Sequence, residues 1–385
     1  MEFFLRITGV ICEYNPFHLG HKKQLDAIRR DDPEGGIVCL MSGNFVQRGA
    51  PAIVDKLSRA KAATLCGADL VLELPVTVSL SSAEGFATGG VSILSGFCDR
   101  LCFGAENADA QSLWSLAEAL LAEPFREALR AQLEKGLSFP AARQAALEDM
   151  GMDGKLLETP NNILAVEYCK AILSQGCNME ILPIYRGGDY HGVQEDPENP
   201  SATAIRSQML KLEDWRSGIP EAAVPCFLDA DLHTLAQGEQ AILYRLRTMN
   251  EQRFEALPYG SEGLWRKLMH ASRKESTLSG IIDATKSKRS TRTRIDRMIL
   301  CAYLGITEQM LKAPAPYTRV LAFNDRGREI LKKARQSGHF PNIGENVDHP
   351  YQVLEERCGS LYGLFAAATG TPDAEANYRV YYHKQ

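Results

Sequence analysis

The chain has 385 residues, of which 45% are hydrophobic and 24% charged, with a formal net charge of −5. At roughly 150 residues per domain, that length predicts two or three domains, each able to bury a core. The composition is globular, no apolar run nears the roughly 18 residues that cross a bilayer, and the acidic balance excludes a surface that is basic all over.

The start, Met1 to Arg6, lacks a basic stretch leading into an apolar one, and the apolar run that follows is broken by Glu13. No secretory leader is expected, and a cytoplasmic location is. Ten cysteines are spread along the chain without a CxxC pair, most in apolar segments such as GIVCLM and ATLCGA. They read as buried free thiols of a reducing compartment rather than disulfides or zinc ligands, so no dedicated protein metal site is expected.

Taken in order, the elements alternate. Arg6 to Cys12 reads as a buried strand, His21 to Arg30 as a helix and Gly36 to Met41 as a strand. Next come an Ala-rich helix (Ser58 to Cys66), a strand (Asp69 to Leu74), a helix of small residues (Ala83 to Leu94) and a strand (Arg100 to Phe103) followed by Gly104. Such alternation predicts βαβ units and a parallel sheet covered on both faces. Asp109 to Glu148 and Asn162 to Leu173 carry helical periodicity, Glu180 to Tyr185 returns to strand, Gly187 to Pro200 is a loop, and Ala204 to Leu212 is a short helix. Beyond about Trp215 the texture turns mostly helical, which puts a soft boundary between 1–214 and 215–385.

The segment that carries chemistry is GVICEYNPFHLGH, Gly9 to His21. A strand runs into a turn at Asn15-Pro16, then His18-Leu19-Gly20-His21, then a helix. The N-terminus of a helix offers free N–H donors and a positive dipole end. Gly20 lets a phosphate approach closely, and imidazole N–H groups stabilise charge that builds at an α-phosphate. The carboxyl end of a first strand is also where open α/β sheets bind ligands. An HxGH string alone is a weak signal; between an initial strand and a helix it is a strong one.

HxGH in that place resembles the HIGH nucleotidylyltransferase superfamily. The longer string EYNPFHLGH is similar to the bacterial tRNA(Met) cytidine acetate ligases. So are MSGNFVQRG (from Met41), GADLVLELP (from Gly67), SSAEGFATGG (from Ser81), CFGAE (from Cys102), PNNILAVEY (from Pro160) and SATAIR (from Ser201), in the family's order. The later match is looser, carried by TRTRIDRMIL and PYTRVLAFN. The resemblance implies an α/β, Rossmann-like HIGH nucleotidylyltransferase domain followed by a mostly helical tRNA-binding domain. It implies an enzyme that adenylates acetate with ATP, releases pyrophosphate, and passes the acetyl group to the wobble cytidine of elongator tRNA(Met) to give N4-acetylcytidine. Magnesium is expected with the nucleotide.

By the same resemblance, His18 and His21 are catalytic. ATP is held by Ile11, Cys12, Glu13, Tyr14, Asn15, Pro16, Phe17, His18, Leu19, Gly20, His21, Lys22, Lys23 and Gln24, with Gly104, Asn161 or Asn162, and Arg186. Around Arg186 this chain departs from the family: it reads YRGGDYHG where members often read KRIGAGYHD.

Other constellations carry two readings each. Asn161 and Asn162 cap a helix or face nucleotide. Ser201, Thr203 and Arg206 open a helix and are candidate phosphate ligands. Asn44, Gln47, Arg48 and Asp55 lie in a polar loop at the carboxyl edge, with Asp55 either a magnesium partner or a plain loop acid. For tRNA, Lys286, Lys288, Arg289, Arg292 and Arg294 stand in a basic run, with a second cluster from Arg319 to Arg335. Such runs attract phosphate backbones, though a solvated helix face is the usual meaning of a charge run. The competing function is a small-molecule adenylyltransferase of coenzyme biosynthesis, against which the additional domain speaks.

Overall fold

The computed structural model describes residues 5–186, 201–287, 290–314, 316–337, 350–372, 375, 377 and 379–384. Strands are β1 (Ile7–Cys12), β2 (Gly36–Ser42), β3 (Phe45–Val46), β4 (Ala50–Pro51), β5 (Leu70–Leu74), β6 (Arg100–Ala105), β7 (Glu180–Tyr185), β8 (Val320–Asn324) and β9 (Tyr381–His383). Seven of them form one sheet in the order β7-β6-β1-β2-β5-β8-β9, and β3 and β4 form a separate antiparallel hairpin.

The strands β7, β6, β1, β2 and β5 are mutually parallel. They read as continuous apolar runs because helices cover both faces. β1 moves to β2 and β5 on one side, and the chain then crosses back to β6 and β7 on the other. The reversal opens a crevice at the carboxyl ends of β1 and β6. Four early helices set its walls: α1 (Leu19–Asp31), α2 (Lys56–Leu65), α3 (Val76–Ser79) and α4 (Ala83–Leu94). α4 and the helix Pro160–Gln175 pack on one face in a core with Ile11, Val38 and Leu101. α1, α2 and the helix Ala202–Lys211 pack on the other face, around Val10, Cys39 and Val71. A third core, centred on Leu268, Ile281, Met298 and Phe365, belongs to the later helices and takes in Phe45 of the hairpin.

Two departures from the expected outline have physical causes. Gly104 lies inside β6, paired with Ile184, rather than after its end. The chain beyond residue 214 is mostly helical but also returns to the sheet: β8 pairs antiparallel with β5, and β9 lies parallel beside β8. VLAFN is short and flanked by charge, so nothing local distinguishes it from a loop; the open edge of β5 makes it a strand. All ten cysteines are free, and eight are buried. Among the described residues no helix is long and apolar enough to cross a membrane.

Candidate active site

β1 delivers the chain to the crevice, and the next six residues turn it. Tyr14 adopts a left-handed backbone (φ 46°), and the Asn15–Pro16 peptide is cis. A bulky residue with positive φ persists only where its surroundings hold it. Tyr14 is 1% exposed, with its ring 4.8 Å from Phe17 and 4.7 Å from His21. Asn15 is held from both ends: its Oδ1 accepts from Ile53 N (2.8 Å) and its carbonyl accepts from Arg206 Nη1 (2.7 Å).

The two histidines form the N-cap of α1. His18 Nδ1 accepts from Gly20 N at 3.0 Å, and His21 Nδ1 accepts from His18 N at 3.2 Å, closing a reciprocal capping box. Their ring centroids are 3.7 Å apart. A Cβ on residue 20 would stand 2.9 Å from His18 Cε1, so the glycine is required first by the histidine ring itself. Burial holds His18 neutral, with a pKa lowered to about 3, and the nearby Arg186 and Arg206 guanidiniums add to the effect. Burial, His18 and Arg186 drive His21 well below its usual value too.

The tautomers follow. A neutral ring whose Nδ1 accepts carries its proton on Nε2. Both histidines are therefore Nε2–H donors near pH 7. His18 Nε2 is buried and has no partner among the described residues. A buried N–H without an acceptor costs about 1–3 kcal/mol, so the atom awaits an acceptor oxygen.

Over residues 5–371 the chain matches the family profile described as HIGH Nucleotidyl Transferase. The chain belongs to the HIGH nucleotidyl transferase family. Among its curated relatives is the tRNA(Met) cytidine acetate ligase of Clostridium acetobutylicum, 35% identical over 374 residues that cover 91% of this chain and 92% of that one. The Clostridium kluyveri protein of the same name is 38% identical over 363 residues, covering 88% and 89%. Two crystal structures of Thermotoga maritima TmcAL align over 99% of this chain and all of theirs. The apo form has a TM-score of 0.92 at 28% identity, and the form bound with alpha-thio ATP has 0.89 at 29%.

In this HIGH nucleotidyl transferase the other expected site residues separate. Arg186 follows β7, donates its backbone N–H to Ala105 O (2.9 Å), and lies against Gly104, where a Cβ would be 3.4 Å from Arg186 Cδ. Arg206 bonds Asn15 and also donates to Thr203 Oγ1 (3.0 Å), while Ser201 caps that helix through Ala204 N (3.1 Å). These join the histidine loop at one sheet edge. The asparagines divide. Asn162 is 4% exposed and its Oδ1 accepts from Asn107 N (3.0 Å), whereas Asn161 is half-buried and its Nδ2 donates to Glu106 (2.7 Å). Further along α1, Lys22 pairs with Asp26, Lys23 is exposed, and Gln24 reaches Cys102 Sγ at 3.6 Å. Asp55 caps α2, accepting from Leu57 N and Ser58 N, which makes it a helix cap.

The basic segments separate as well. Lys286 and Arg292 are exposed, with Arg292 paired to Asp296. Arg294 is folded back onto Tyr259 O (3.0 Å) and Ser261 Oγ (2.7 Å). Lys288 and Arg289 lie outside the described residues. The second cluster divides: Arg319 is 7% exposed and joined to Glu73 and Glu375, Arg326 bonds the Pro33 and Gly35 carbonyls, and Lys333 bonds Leu5 O, whereas Arg328, Lys332 and Arg335 are exposed. Arg319, Arg326 and Lys333 thus bind the fold together.

Three positioning roles escaped the sequence reading, which places Arg297 in the basic run. Arg59, fully buried, donates to Val54 O (2.8 Å), Glu13 O (2.7 Å), Ser42 O (3.1 Å) and Gly43 O, tying the loop after β1 to the loop after β2. Glu106 accepts from Asn161 N, Asn161 Nδ2, Asn162 N and Thr159 Oγ1, a carboxylate on the N-terminus of the helix Pro160–Gln175. Arg297 reaches Gln47 O (3.3 Å) over the ring of Tyr259. An Ala-rich helix and a basic run gave no local sign of these long-range partners.

Proposed function

We propose that this chain is an ATP-dependent tRNA(Met) cytidine acetate ligase. It joins acetate to the AMP moiety of ATP with release of pyrophosphate, then acetylates N4 of the wobble cytidine of elongator tRNA(Met). The observation that carries the activation step is the buried Nε2–H of His18 at the mouth of α1, which has no partner among the described residues. The name shared by its curated relatives supports the acceptor and the acid, and the nucleotide analogue in the Thermotoga protein supports ATP.

ATP lies along Ile11 to Gln24, with the adenosine end toward Gly104, Asn161 and Arg186 and the β- and γ-phosphates toward Ser201, Thr203 and Arg206. The half-buried Asn161, rather than the buried Asn162, faces the nucleotide. His18 and His21 donate Nε2–H bonds to oxygens of the α-phosphate. They stay neutral throughout, so their bonds strengthen as acetate attacks in line and charge grows there. Arg206 takes up the charge of the departing pyrophosphate. The site is built of N–H donors, and among the described residues no group of three or more His, Cys, Asp or Glu side chains is gathered for a metal. That donor set fits magnesium carried by the phosphates, where it neutralises charge. The second region, 215–385, holds the tRNA, with Lys286, Lys288, Arg289, Arg292 and Arg294 on its phosphates.

Two measurements test this reading. One is acetate-dependent pyrophosphate release; the other is nucleoside analysis of tRNA(Met) incubated with enzyme, ATP and acetate. N4-acetylcytidine at the wobble position is the expected product. Pyrophosphate release with a coenzyme precursor and none with acetate would favour the small-molecule adenylyltransferase instead.

A further inference from the structure

Glu13 stands in the stretch along which ATP is proposed to lie, and hydrogen bonds fix both its backbone and its carboxylate. It is the first residue beyond β1, half-buried at the carboxyl edge of the sheet. Its backbone carbonyl accepts from buried Arg59 (2.7 Å), and one carboxylate oxygen accepts from Gln47 N at 2.6 Å. Gln47 is fixed in turn: its side chain donates to Ser81 O (3.3 Å), and its carbonyl accepts from Arg297 of the helix Arg292–Leu304 (3.3 Å). Gly49, at φ +82°, lies so close to that helix that a Cβ would come within 2.5 Å of Arg297 N. The hairpin that holds Glu13 is therefore seated directly on the helix in which the basic run ends.

The charges around Glu13 locate it against the phosphate-handling groups. Arg206, which donates to the carbonyl of Asn15 two residues along the loop (2.7 Å), acts on both Glu13 and His18. Arg48 from the hairpin and Arg59 from α2 face it as well. Glu13 and Cys12 both act on the Tyr168 hydroxyl, which is buried with no partner among the described residues. Burial lifts the Glu13 carboxyl above the usual carboxylate range, against the pull of the Gln47 N–H, Arg48, Arg206 and Arg59. A carboxylate so raised is a better proton acceptor at neutral pH.

We propose that Glu13 is the general base of acetyl transfer, a catalytic residue of the second half-reaction; this rests on the ligase reading above. The cytidine N4 attacks the carbonyl carbon of acetyl-AMP and a C–N bond forms. The bond between that carbon and the phosphate oxygen breaks, and AMP leaves with the electron pair. The proton lost from N4 passes to the free oxygen of Glu13 and then to solvent. Gln47 and Arg297 are positioning residues, which keep that oxygen turned to the acceptor. Activation of acetate has no N–H proton to remove, so the base is needed only in transfer.

Glu13→Gln tests the assignment, since the amide oxygen still accepts from Gln47 N. Chemically prepared acetyl-AMP is given to enzyme and tRNA(Met) in a single turnover, and acetate-dependent pyrophosphate release and tRNA affinity are measured on the same preparation. The expected loss in transfer is about 100-fold, the scale of general-base catalysis, and exceeds any loss in pyrophosphate release by at least about 30-fold. The wild-type transfer rate falls as the pH drops and Glu13 takes up a proton, and the variant loses that acid limb. Transfer within about threefold of wild type, or transfer and pyrophosphate release falling in parallel, overturns the proposal. A wild-type protein that makes no N4-acetylcytidine from acetyl-AMP sinks the ligase reading itself, a different result from a wild type and a variant that both transfer well.

Discussion

At the scale of the residue, the histidine pair does two tasks with its two nitrogens. The Nδ1 atoms cap α1, and that bond pins the proton to Nε2, where a phosphate oxygen needs a donor. Neutrality at pH 7 follows from burial beside Arg186 and Arg206. His18→Ala and His21→Ala should each lower acetate-dependent pyrophosphate release by at least about 100-fold, the scale of losing one preorganised donor. His18→Asn keeps a cap but displaces the donor, and should lose activity with little loss of fold. Near-normal turnover in both alanine variants would remove the histidines from the chemistry.

At the scale of the element, the hairpin β3–β4 is the joint between the catalytic sheet and the later helices. Gly49→Ala places a side chain on a left-handed backbone against Arg297, and should destabilise the protein by about 1–3 kcal/mol for the conformation alone. A urea melt with an unchanged midpoint would show that the hairpin yields freely. The basic run that leads into the helix Arg292–Leu304 makes a separate prediction. Lys286 and Arg292 are its exposed, described cations, and removing each charge that neutralises a phosphate should reduce the log–log salt slope of tRNA binding by about 0.7–0.9. Lys286→Gln with Arg292→Gln should weaken tRNA binding and leave pyrophosphate release intact. An unchanged affinity and slope, titrated at two salt concentrations, would show these side chains to be ordinary solvated charge.

At the scale of the whole molecule, the two regions share a buried ionic cluster. Lys56 and Glu73 of the sheet region meet Arg319, Glu355 and Glu375, all 8% exposed or less in their side chains. Burial is the largest influence on Glu73, but Arg319 and Lys56 together outweigh it and hold the carboxyl low. Burial and Glu73 push Glu355 up to about 7. The folded protein thus keeps a proton on Glu355 that the unfolded chain gives up at the usual carboxylate pKa. Its contribution to stability is full on the acid side and is lost as pH rises to about 7. Glu355→Gln, still able to accept from Val76 N, should flatten that slope. Glu73→Gln strips both cations of a partner and should cost about 3–5 kcal/mol. Urea unfolding at several pH values separates the two, and equal losses would contradict this account.

The sheet strands and the HxGH helix were legible because their signals are local. Apolar runs such as Ile7–Cys12 and Gly36–Ser42 admit only a buried strand, and a histidine pair spaced around a glycine at a helix start admits few other uses. Acetate and tRNA, too, were legible only through resemblance, since no residue type names them. Tertiary structure decided what depends on distant partners. It made a strand of Val320–Asn324 by offering it the edge of β5, turned Arg319 from a surface cation into a buried one, and divided Asn161 from Asn162 by giving Asn107 to one and Glu106 to the other. It also set the protonation of His18, because desolvation belongs to the packed interior and not to the string of residues.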